Sequence, residues 1–490
     1  MREVLALLMV VPLATASDLS SRLDRIIDTA PALSRAFMGA QVVRLSDGRV
    51  LYTRNSERLF VPASNMKLFT TALALTRLGV DYRLMTQIGA RVPIDAAAGT
   101  LAGDLELIGG GDPSLSGREY PYRNHAAPGA IYSFSAIEEL ADQLIARGLK
   151  RIDGDVAGDD SRYVWEPQPG GWSSDSATRD YGAPVSALVL HDNTFAVTLR
   201  PGESAGDVAR IKLAPAFEDF AIDNRVLTVE HGERKIEFYR GTSGRELHIW
   251  GTLPIGGPGL TEELAIGDPA LYAAQILRDA LLRRGIAIFG EAVARHRFPD
   301  ELTDIATKLD VVLAERRSPP LLDVLRVVDK VSQNLHAEIL LREVAVVSER
   351  EGSVGAGLEA MDDFLAGIGI SKAEHQFTDG SGLSRATLVT PAAIATLLAH
   401  MNQSKNREQW VGLLPIGGED GTLGSRFAGH PEARNIRAKT GTLDHVHTIS
   451  GYADTPGQGR VAFSFLVNNF EEPSAGVTAV LDQLALALLR

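Results

Sequence analysis

Residues 62–78 read PASNMKLFTTALALTRL, an almost continuously apolar or small stretch that ends just before Gly79. This composition predicts a largely buried helix closed by the glycine, because Gly readily adopts the left-handed conformation that ends a helix. Ser64 and Lys67 lie three residues apart, so we expect them on one face of the first turn. A hydroxyl and an amine at this spacing can form a nucleophile and its base.

Lysine acts as a base only when its amine is neutral. A free lysine has a pKa of about 10.4, but burial and a second cation nearby both favour the neutral form. The N-terminus of the helix adds backbone N–H groups that stabilise developing negative charge. Since Ser-x-x-Lys occurs by chance in many helices, it indicates this chemistry only together with other motifs.

A second motif, Ser332-Gln333-Asn334, lies between two stretches with helical periodicity. The serine hydroxyl can pass a proton to a leaving amine, and the carboxamide of Asn334 can donate to a substrate carbonyl. Taken alone, the same residues would be read as a helix N-cap serine and a solvated asparagine.

A third motif, Lys439-Thr440-Gly441-Thr442, begins a predicted strand. Alternation places Lys439 and Gly441 on one face, so a cation points to the site and a substrate can lie against the strand. Thr440 can hold a carboxylate together with Lys439. The backbone N–H groups of Thr442 and Ser64 are expected to form an oxyanion hole.

These three motifs, in this order, form the signature of class A β-lactamases and penicillin-binding proteins. The stretches VPASNMKLFTTALAL, GDLELIGGGDPSL, DGSGLSR, LPIGGEDGTL and AKTGTL extend the likeness. With them the chain resembles the class C low-molecular-mass penicillin-binding proteins, the D-alanyl-D-alanine carboxypeptidase/endopeptidase family. The resemblance implies an α+β, serine β-lactamase/transpeptidase-like fold: an antiparallel sheet flanked by helices, a helical subdomain and inserted β-rich domains.

The resemblance also implies an activity. The enzyme is expected to hydrolyse the terminal D-Ala-D-Ala bond, or the D-Ala-to-diaminopimelate crosslinks, of peptidoglycan stem peptides. The reaction passes through an acyl-enzyme, and β-lactam antibiotics are expected to acylate the same serine. No cofactor or metal is expected. The catalytic residues that it implies are Ser64, Lys67, Ser332, Asn334 and Lys439. Substrate binding is assigned to Thr440, Gly441 and Thr442.

Some members of this family hold the free end of the diaminopimelate side chain in a side pocket. The matching positions here are Asp159, Tyr163 and Arg385, although Asp159 is equally well read as an ordinary turn acid. Asp444 follows the third motif where an uncharged polar residue is expected. The side-chain preference of the pocket therefore stays open.

Length and patterning bound the architecture. At about 150 residues per domain, the 490 residues predict roughly three domains. Short alternating strands with Gly and Pro breaks predict an inserted β-rich region of two nested domains over 83–266. Residues 17–82 and 267–490 then form the catalytic domain.

The two ends of the chain carry matching patterns. An amphipathic helix that ends near Pro31 is followed by two strands around the turn Ser46-Asp47-Gly48. The chain closes with two strands, IRAKTGTLDHVHTISGYAD and RVAFSFLVNN, and a helix. We expect both ends to share one antiparallel sheet covered by the terminal helices.

Charge and composition narrow the partners and the location. The formal charge is −13 and no Lys/Arg run occurs, which argues against a nucleic-acid partner. The chain has no cysteine, so neither a cysteine nucleophile nor a thiolate metal site is possible. Residues 1–16 predict a secretion signal and hence a periplasmic protein, since an apolar run follows Arg2 and precedes Ala14-Thr15-Ala16. No later stretch approaches the roughly 18 apolar residues of a membrane span.

Two other functions fit the same motifs. A β-lactamase or esterase on this fold would need an efficient deacylating water, and no motif is assignable to a deacylating carboxylate. A catalytically silent envelope scaffold would use the inserted domains to bind a partner, but all three motifs are intact. Carboxypeptidase and endopeptidase activity are not ranked by the sequence.

Overall fold

The computed structural model describes residues 16–123, 133–215, 221–241, 246–299, 309–471 and 473–490. Its helices are α1 (Ala16–Thr29), α2 (Met66–Arg77), α3 (Ser135–Ala146), α4 (Pro269–Arg283), α5 (Leu321–Lys330), α6 (Asn334–Val347), α7 (Val354–Gly367), α8 (Pro391–Gln403), α9 (Arg407–Leu413) and α10 (Ala475–Ala487). Its strands are β1 (Phe37–Arg44), β2 (Val50–Arg54), β3 (Met85–Ala90), β4 (Thr100–Leu101), β5 (Leu105–Ile108), β6 (Arg151–Ile152), β7 (Val156–Val164), β8 (Thr194–Arg200), β9 (Arg210–Ala214), β10 (Ala221–Val229), β11 (Lys235–Arg240), β12 (Glu246–Pro254), β13 (Leu260–Ala265), β14 (Ala287–Ile288), β15 (Ala292–Arg297), β16 (Val311–Arg317), β17 (His375–Gln376), β18 (Leu388–Val389), β19 (Ile436–Leu443), β20 (Val446–Thr455) and β21 (Gly459–Asn468).

Strands from both ends of the chain form the central sheet, as the sequence predicts. Its five antiparallel strands have the order β19–β20–β21–β1–β2, and β1 pairs with β21 along its whole length, from Phe37 opposite Asn468. Helices α1 and α10 cover one face, where Leu23, Phe463 and Leu481 are buried in one core. Helices α2 and α8 cover the other face. The nucleophile segment is therefore held against this sheet.

The closing segment has three strands, where the sequence pattern predicted two. Asp444 and His445 form a turn between β19 and β20, and His445 has the left-handed φ of 58°. The apolar alternation runs through this turn with little interruption, which hides it in the sequence. The third motif consequently lies on β19, an edge strand of the sheet.

A helical subdomain packs on the other side of α2. Helices α5, α6, α7 and α9 share with α2 a core that includes Leu325, Leu341 and Trp410. The Trp410 indole N–H donates to Tyr452 Oη of the central sheet at 2.8 Å. This contact ties the subdomain to the sheet.

The β-rich part of the chain is built on a mixed five-stranded sheet of order β15–β7–β5–β3–β16. Smaller sheets, β13–β8–β9, β10–β12–β11 and β14–β6–β4, adjoin it. Strands β15 and β16 belong to this unit, and α4 buries Ala273 and Leu277 in its core. The packed unit thus continues past the predicted boundary at residue 266, because the apolar face of α4 lies on this sheet and not on the central one.

The start of the chain is only partly described. The predicted signal peptide lies outside the described residues, apart from Ala16, where α1 begins. Among the described helices, none combines the length and apolar character needed to cross a bilayer.

Candidate active site

The three motifs meet at a cleft of about 800 Å³ between the central sheet, the helical subdomain and the β-rich unit. Its lining includes Ser64, Tyr181, Ser332, Asn334, Arg385 and Thr442. These residues are far apart in the chain, so the cleft depends on the packing described above.

Ser64 lies in a short 3-10 turn, Ala63–Asn65, immediately before α2. The sequence placed it within the first turn of the helix, and the structure shifts it to this preceding turn. Ala63 has a φ of 47°, a left-handed conformation that costs backbone strain for a residue with a side chain. The turn is held by Thr448, whose hydroxyl donates to the Pro62 carbonyl at 2.9 Å.

Lys67 is fully buried, and its amine has three partners. Nζ lies 2.9 Å from Ser64 Oγ, 2.6 Å from Asn334 Oδ1 and 2.8 Å from the Ser381 carbonyl oxygen. Burial, followed by the charge of Lys439, holds the pKa of Lys67 well below its usual range. A neutral amine has two N–H donors and one lone pair, which matches two carbonyl acceptors and one hydroxyl donor. The geometry therefore suits proton transfer from Ser64 to Lys67.

Asn334 begins α6 and uses both ends of its carboxamide inside the protein. Oδ1 accepts from Lys67, and Nδ2 donates to the Tyr181 carbonyl at 2.8 Å. The sequence interpretation gave this amide to a substrate carbonyl, but here it orients the lysine. It also contacts the Tyr181 segment, which precedes β8.

Ser332 and Lys439 form the second pair of the cleft. Lys439 Nζ lies 2.9 Å from Ser332 Oγ and donates to the Thr440 carbonyl at 2.7 Å. Ser332 has a left-handed φ of 63°, which turns the chain between α5 and α6. Burial lowers the pKa of Lys439 to about 8, although Asp329 opposes this shift.

Packing gives a further reason for glycine at position 441, beside the predicted approach of a substrate, which stays a prediction. A Cβ at this position would lie 2.7 Å from the Pro62 carbonyl oxygen and 2.9 Å from the Ser64 nitrogen. The missing side chain thus lets the nucleophile turn sit directly on β19. Thr440 Oγ1 donates to Thr422 Oγ1 at 2.7 Å.

A buried carboxylate that the sequence analysis did not single out holds the loop at Ser381. Glu338 is fully buried on α6, and its Oε1 accepts from the backbone N–H groups of Gly380 and Ser381, both at 2.8 Å. Burial, and next the charge of Asp379, raises the pKa of Glu338 to about 7. Because the Ser381 carbonyl contacts Lys67, Glu338 positions the lysine through this loop. The signal for it in the sequence is a polar row along α6, because Asn334 and Arg342 lie four residues before and after Glu338 on the same helix face.

Asp329 is a second buried acid that was not anticipated. It lies on α5, three residues before Ser332, and its side chain is inaccessible to solvent. Within the described residues both carboxylate oxygens lack a hydrogen-bond partner. Burial raises its pKa to about 7, although the charge of Lys439 favours ionisation.

The β-rich unit contributes a third buried acid, Asp192. Its Oδ1 is 3.0 Å from His336 Nε2, and its Oδ2 accepts from Gln333 Nε2 at 3.2 Å and from the Arg118 guanidinium. The Arg118 and His336 charges hold the pKa of Asp192 well below its usual range in spite of its burial. Asp192 itself lies in a left-handed turn, with a φ of 53°. Gln333 of the second motif and the nearby His336 are thus held by a residue of the β-rich unit.

The predicted side pocket is not assembled in this structure. Asp159 and Tyr163 lie on β7 with exposures of 1% and 2%, and neither lines the cleft. Tyr163 Oη donates to Glu343 at 2.8 Å, since the interior of this sheet requires partners for polar groups. Arg385 does line the cleft and donates to the Asp444 carbonyl. Of the residues discussed for that pocket, only Arg385 and Asp444 line the cleft.

Comparison with known proteins agrees with this geometry. The profile of the D-Ala-D-Ala carboxypeptidase 3 (S13) family matches residues 19–487. The chain is 31% identical to a D-alanyl-D-alanine carboxypeptidase of Actinomadura sp. (strain R39), covering 97% of this chain and 85% of that protein. It is 26% identical to the D-alanyl-D-alanine carboxypeptidase DacB of Haemophilus influenzae, with coverage of 87% and 84%.

A solved structure has the same fold. The chain superimposes on penicillin binding protein 4 (dacB) from Haemophilus influenzae with a TM-score of 0.82 and 23% identity, covering 96% of this chain and 99% of that one. The match extends over the central sheet and the β-rich unit alike.

Proposed function

We propose that the cleft residues described above carry the activity of this chain, which belongs to the D-Ala-D-Ala carboxypeptidase 3 (S13) family. The chain is a serine-type hydrolase, a D-Ala-D-Ala carboxypeptidase and/or DD-endopeptidase. Ser64 is the nucleophile and Lys67 its base. Ser332 and Lys439 serve the leaving group, and Asn334 orients Lys67. The observation that carries this assignment is the contact of the buried Lys67 amine with Ser64 Oγ.

In the acylation step, Ser64 Oγ attacks the carbonyl carbon of the penultimate D-Ala, and its proton passes to Lys67 Nζ. Negative charge develops on the carbonyl oxygen. The backbone N–H groups of Ser64 and Thr442 stabilise that charge as an oxyanion hole. The close approach of Gly441 to Ser64 supports this placement, since it brings β19 against the nucleophile turn.

Collapse of the tetrahedral intermediate breaks the peptide bond, and the leaving D-Ala amine takes a proton from Ser332 Oγ. Ser332 in turn takes the proton that Lys67 received from Ser64, so Lys67 is again a neutral base for the deacylating water. Lys439, within hydrogen-bond distance of the Ser332 hydroxyl, keeps its own proton and orients that hydroxyl. Together with Thr440, Lys439 binds the substrate carboxylate. Water then hydrolyses the ester on Ser64, which releases the shortened peptide and frees the enzyme.

A β-lactam carries a strained amide in place of the peptide bond, so Ser64 is acylated by penicillin in the same way. Incubation with a fluorescent penicillin should label the parent chain covalently, and Ser64→Ala should abolish the label. Ser46→Ala, in an exposed turn, is the matched control and should label like the parent. Equal labelling of the Ser64→Ala variant would sink the assignment of the nucleophile.

The peptide activity is tested directly with purified protein. A stem pentapeptide should lose its terminal D-Ala if the enzyme is a carboxypeptidase, and a crosslinked dimer should be split if it is an endopeptidase. Chromatography of both digests gives the ratio of the two rates. A parent chain inactive on both substrates would contradict the proposal.

We further propose that the protein acts in the periplasm. Peptidoglycan stem peptides lie outside the cytoplasmic membrane, and the pattern of residues 1–16 is typical of a secretion signal. Fractionation of cells that express the full chain should place the enzyme in the periplasmic extract, and a deletion of residues 2–16 should retain it in the cytoplasm.

A further inference from the structure

One segment of the β-rich unit, residues 171–181, forms a wall of the cleft, and we call it the wall segment. Its residues in the cleft lining are Gly171, Ser173, Asp175, Ser176 and Tyr181. The segment is fastened to the β-rich unit, since Arg240 on β11 donates to the Ala177 carbonyl at 2.8 Å and Arg179 forms a β-bridge with Leu264 on β13. The position of the wall therefore follows from the packing of the β-rich unit.

Trp172 belongs to the wall segment but is not among the residues that line the cleft. Its ring packs against a buried cluster that includes Ile339 of α6. The indole N–H donates to Asp379 Oδ2 at 3.1 Å. The preceding residue, Gly171, passes so close to Ser384 that a Cβ there would collide with the serine hydroxyl. The wall segment thus rests directly on the loop that contains Asp379.

Asp379 is fully buried and accepts four hydrogen bonds from described residues. Three come from its own loop: the Ser381 hydroxyl at 3.2 Å, the Ser384 backbone N–H at 2.9 Å and the Thr387 hydroxyl at 2.7 Å. The fourth comes from Trp172. Among the described residues, Trp172 is therefore the one donor that joins this carboxylate to another segment.

Lys67 has two carbonyl acceptors, and both lead to the wall segment. The Ser381 carbonyl oxygen lies 2.8 Å from Lys67 Nζ, and the same serine is joined to Trp172 through the carboxylate just described. Asn334 Oδ1 lies 2.6 Å from this amine, and Asn334 Nδ2 donates to the Tyr181 carbonyl at 2.8 Å. A shift of the wall would therefore displace both acceptors of the lysine.

We propose that the wall segment positions the Lys67 base and that Trp172 is the positioning residue of this link. The inference rests on the proposed function, because it takes Lys67 as the base of acylation. Trp172 acts on the amine only through Asp379 and the Ser381 carbonyl. The β-rich unit then contributes to the chemistry at Ser64 as well as to the shape of the cleft.

The position of Lys67 matters because burial is the main cause that holds its pKa well below the usual range. Four charged groups act on it from the surrounding elements: Lys439 on β19, Asp379 on its loop, Glu338 on α6 and Asp329 on α5. The lysine adds to the effect of burial and the three acids oppose it. Loss of the Trp172 hydrogen bond should loosen the loop and admit water, which raises the pKa of Lys67 toward its ordinary value.

The first test compares the parent chain with Trp172→Phe, which keeps a ring in the buried cluster and removes the N–H donor. Asp379 retains the three donors of its own loop, so the variant should fold, and urea unfolding checks this. The rate of acylation by a fluorescent penicillin should fall about ten-fold. Trp250→Phe is the matched control, because it makes the same substitution on β12, outside the wall segment. It should be acylated at the parental rate.

The second test separates a positioning role from a purely structural one. Acylation requires neutral Lys67, so its rate rises with pH through the pKa of this amine. In Trp172→Phe this rise should move to higher pH, whereas Trp250→Phe should keep the parental profile. On a stem pentapeptide, Trp172→Phe should lower kcat with little change in KM, because Trp172 does not line the cleft.

A double-mutant cycle tests the route through the loop. Ser381→Ala removes the hydroxyl that bonds Asp379 but keeps the carbonyl that contacts Lys67. Alone, it should shift the pH profile in the same direction as Trp172→Phe, which tests the route without altering the tryptophan. In the Ser381→Ala background, Trp172→Phe should cost less than in the parent, because the link is already cut.

Three results would overturn the inference: a parental acylation rate and pH profile in Trp172→Phe, additive effects in the cycle, or an equal loss in Trp250→Phe. Failure of the proposed function looks different. In that case the parent chain is not acylated by penicillin, or Ser64→Ala is acylated as well.

Discussion

Lys67 in the cleft and Asp192 in the β-rich unit are both buried ionisable groups, yet their surroundings differ. Asp192 is met by the Arg118 guanidinium, by His336 and by Gln333, so its charge is compensated. Lys67 is met by two carbonyl oxygens and a hydroxyl. The charge that acts on it most is that of Lys439, while Asp379, Glu338 and Asp329 act in the opposite direction without touching it. Burial of an uncompensated charge shifts the equilibrium to the neutral form, whereas a compensated charge is retained.

The difference teaches how one chain uses buried charge for two purposes. At Asp192 the ion pairs fix the geometry between the β-rich unit and the second motif. At Lys67 the missing counter-charge in direct contact produces a base. Substitution of Lys67 should therefore lower activity more than stability, and substitution of Asp192 should lower stability more than activity.

The largest effect is expected for Lys67→Met. Removal of the base should lower the rate of acylation by penicillin about 10³–10⁴-fold. Stability should change by less than about 3 kcal/mol, because relief from burying the amine offsets the loss of its hydrogen bonds to Asn334 and Ser381. Stopped-flow acylation and urea unfolding measure the two quantities. Lys405→Met, on the surface, is the control and should change neither. A large loss of stability with Lys67→Met would break the comparison.

Asp192→Asn should show the reverse pattern. It leaves the Arg118 guanidinium and His336 without the buried carboxylate, which should cost about 3–5 kcal/mol in the free energy of unfolding. Activity should fall less than it does for Lys67→Met. Asp47→Asn, which breaks an exposed ion pair with Arg44, should leave the free energy of unfolding almost unchanged. Equal stability of the two variants would show that the Asp192 network is not structural.

Glu338→Gln tests the positioning of Lys67 through the Ser381 loop. The weaker acceptor should lower kcat about ten-fold with little change in KM. The folded pKa of about 7 lies above the usual value near 4.3, so Glu338 favours the native state at low pH and this contribution is lost as pH rises through about 7. The Gln variant should therefore lose less stability than the parent between pH 5 and 8.

Exposed Glu57→Gln is the control for that experiment. It should keep both the parental kcat and the parental change of unfolding free energy with pH. An identical pH dependence for the parent and Glu338→Gln would contradict the assignment.

The smallest effect is expected for Asp329→Asn. Burial lowers the pKa of Lys439 and the Asp329 charge opposes this, so that the pKa lies at about 8. If charged Lys439 binds the substrate carboxylate, kcat/KM falls as pH rises through this pKa. Removal of the acid should move this alkaline limb to lower pH by roughly half a unit. Asp323→Asn on the same helix, paired with Arg326, should leave the limb in place.

Sequence motifs anticipated the parts of the site that depend on residue type and local spacing. The separation of Ser64 and Lys67 predicts their contact, because positions three apart share a face of a helical turn. The shared sheet of the two chain ends follows from alternation patterns on both sides of the motifs. The second cation near Lys67 was expected from the chemistry, and Lys439 supplies it.

The remaining features depend on contacts between distant segments. The packing of the Ser64 turn on Gly441 was not predicted, because a strand pattern does not show which distant segment lies against the strand. Asp159 and Tyr163 match a pocket by position, but their orientation follows from the pairing of β7 with β5 and β15. Asp192 carries no motif, since its role is set by a left-handed turn and by partners that lie 74 to 144 residues away in the chain.

The five-stranded central sheet has a consequence for biosynthesis. Its strands β1 and β2 emerge from the ribosome before the β-rich unit, and β19, β20 and β21 emerge long after it. A nascent chain that carries Ser64 thus has neither Lys439 nor β19, the strand on which the Ser64 turn rests. In this chain β1 can pair with β2 but still lacks β21, its partner on the other side. Synthesis of residues 436–490 supplies these strands and Lys439, and so completes the cleft in which we propose the chemistry.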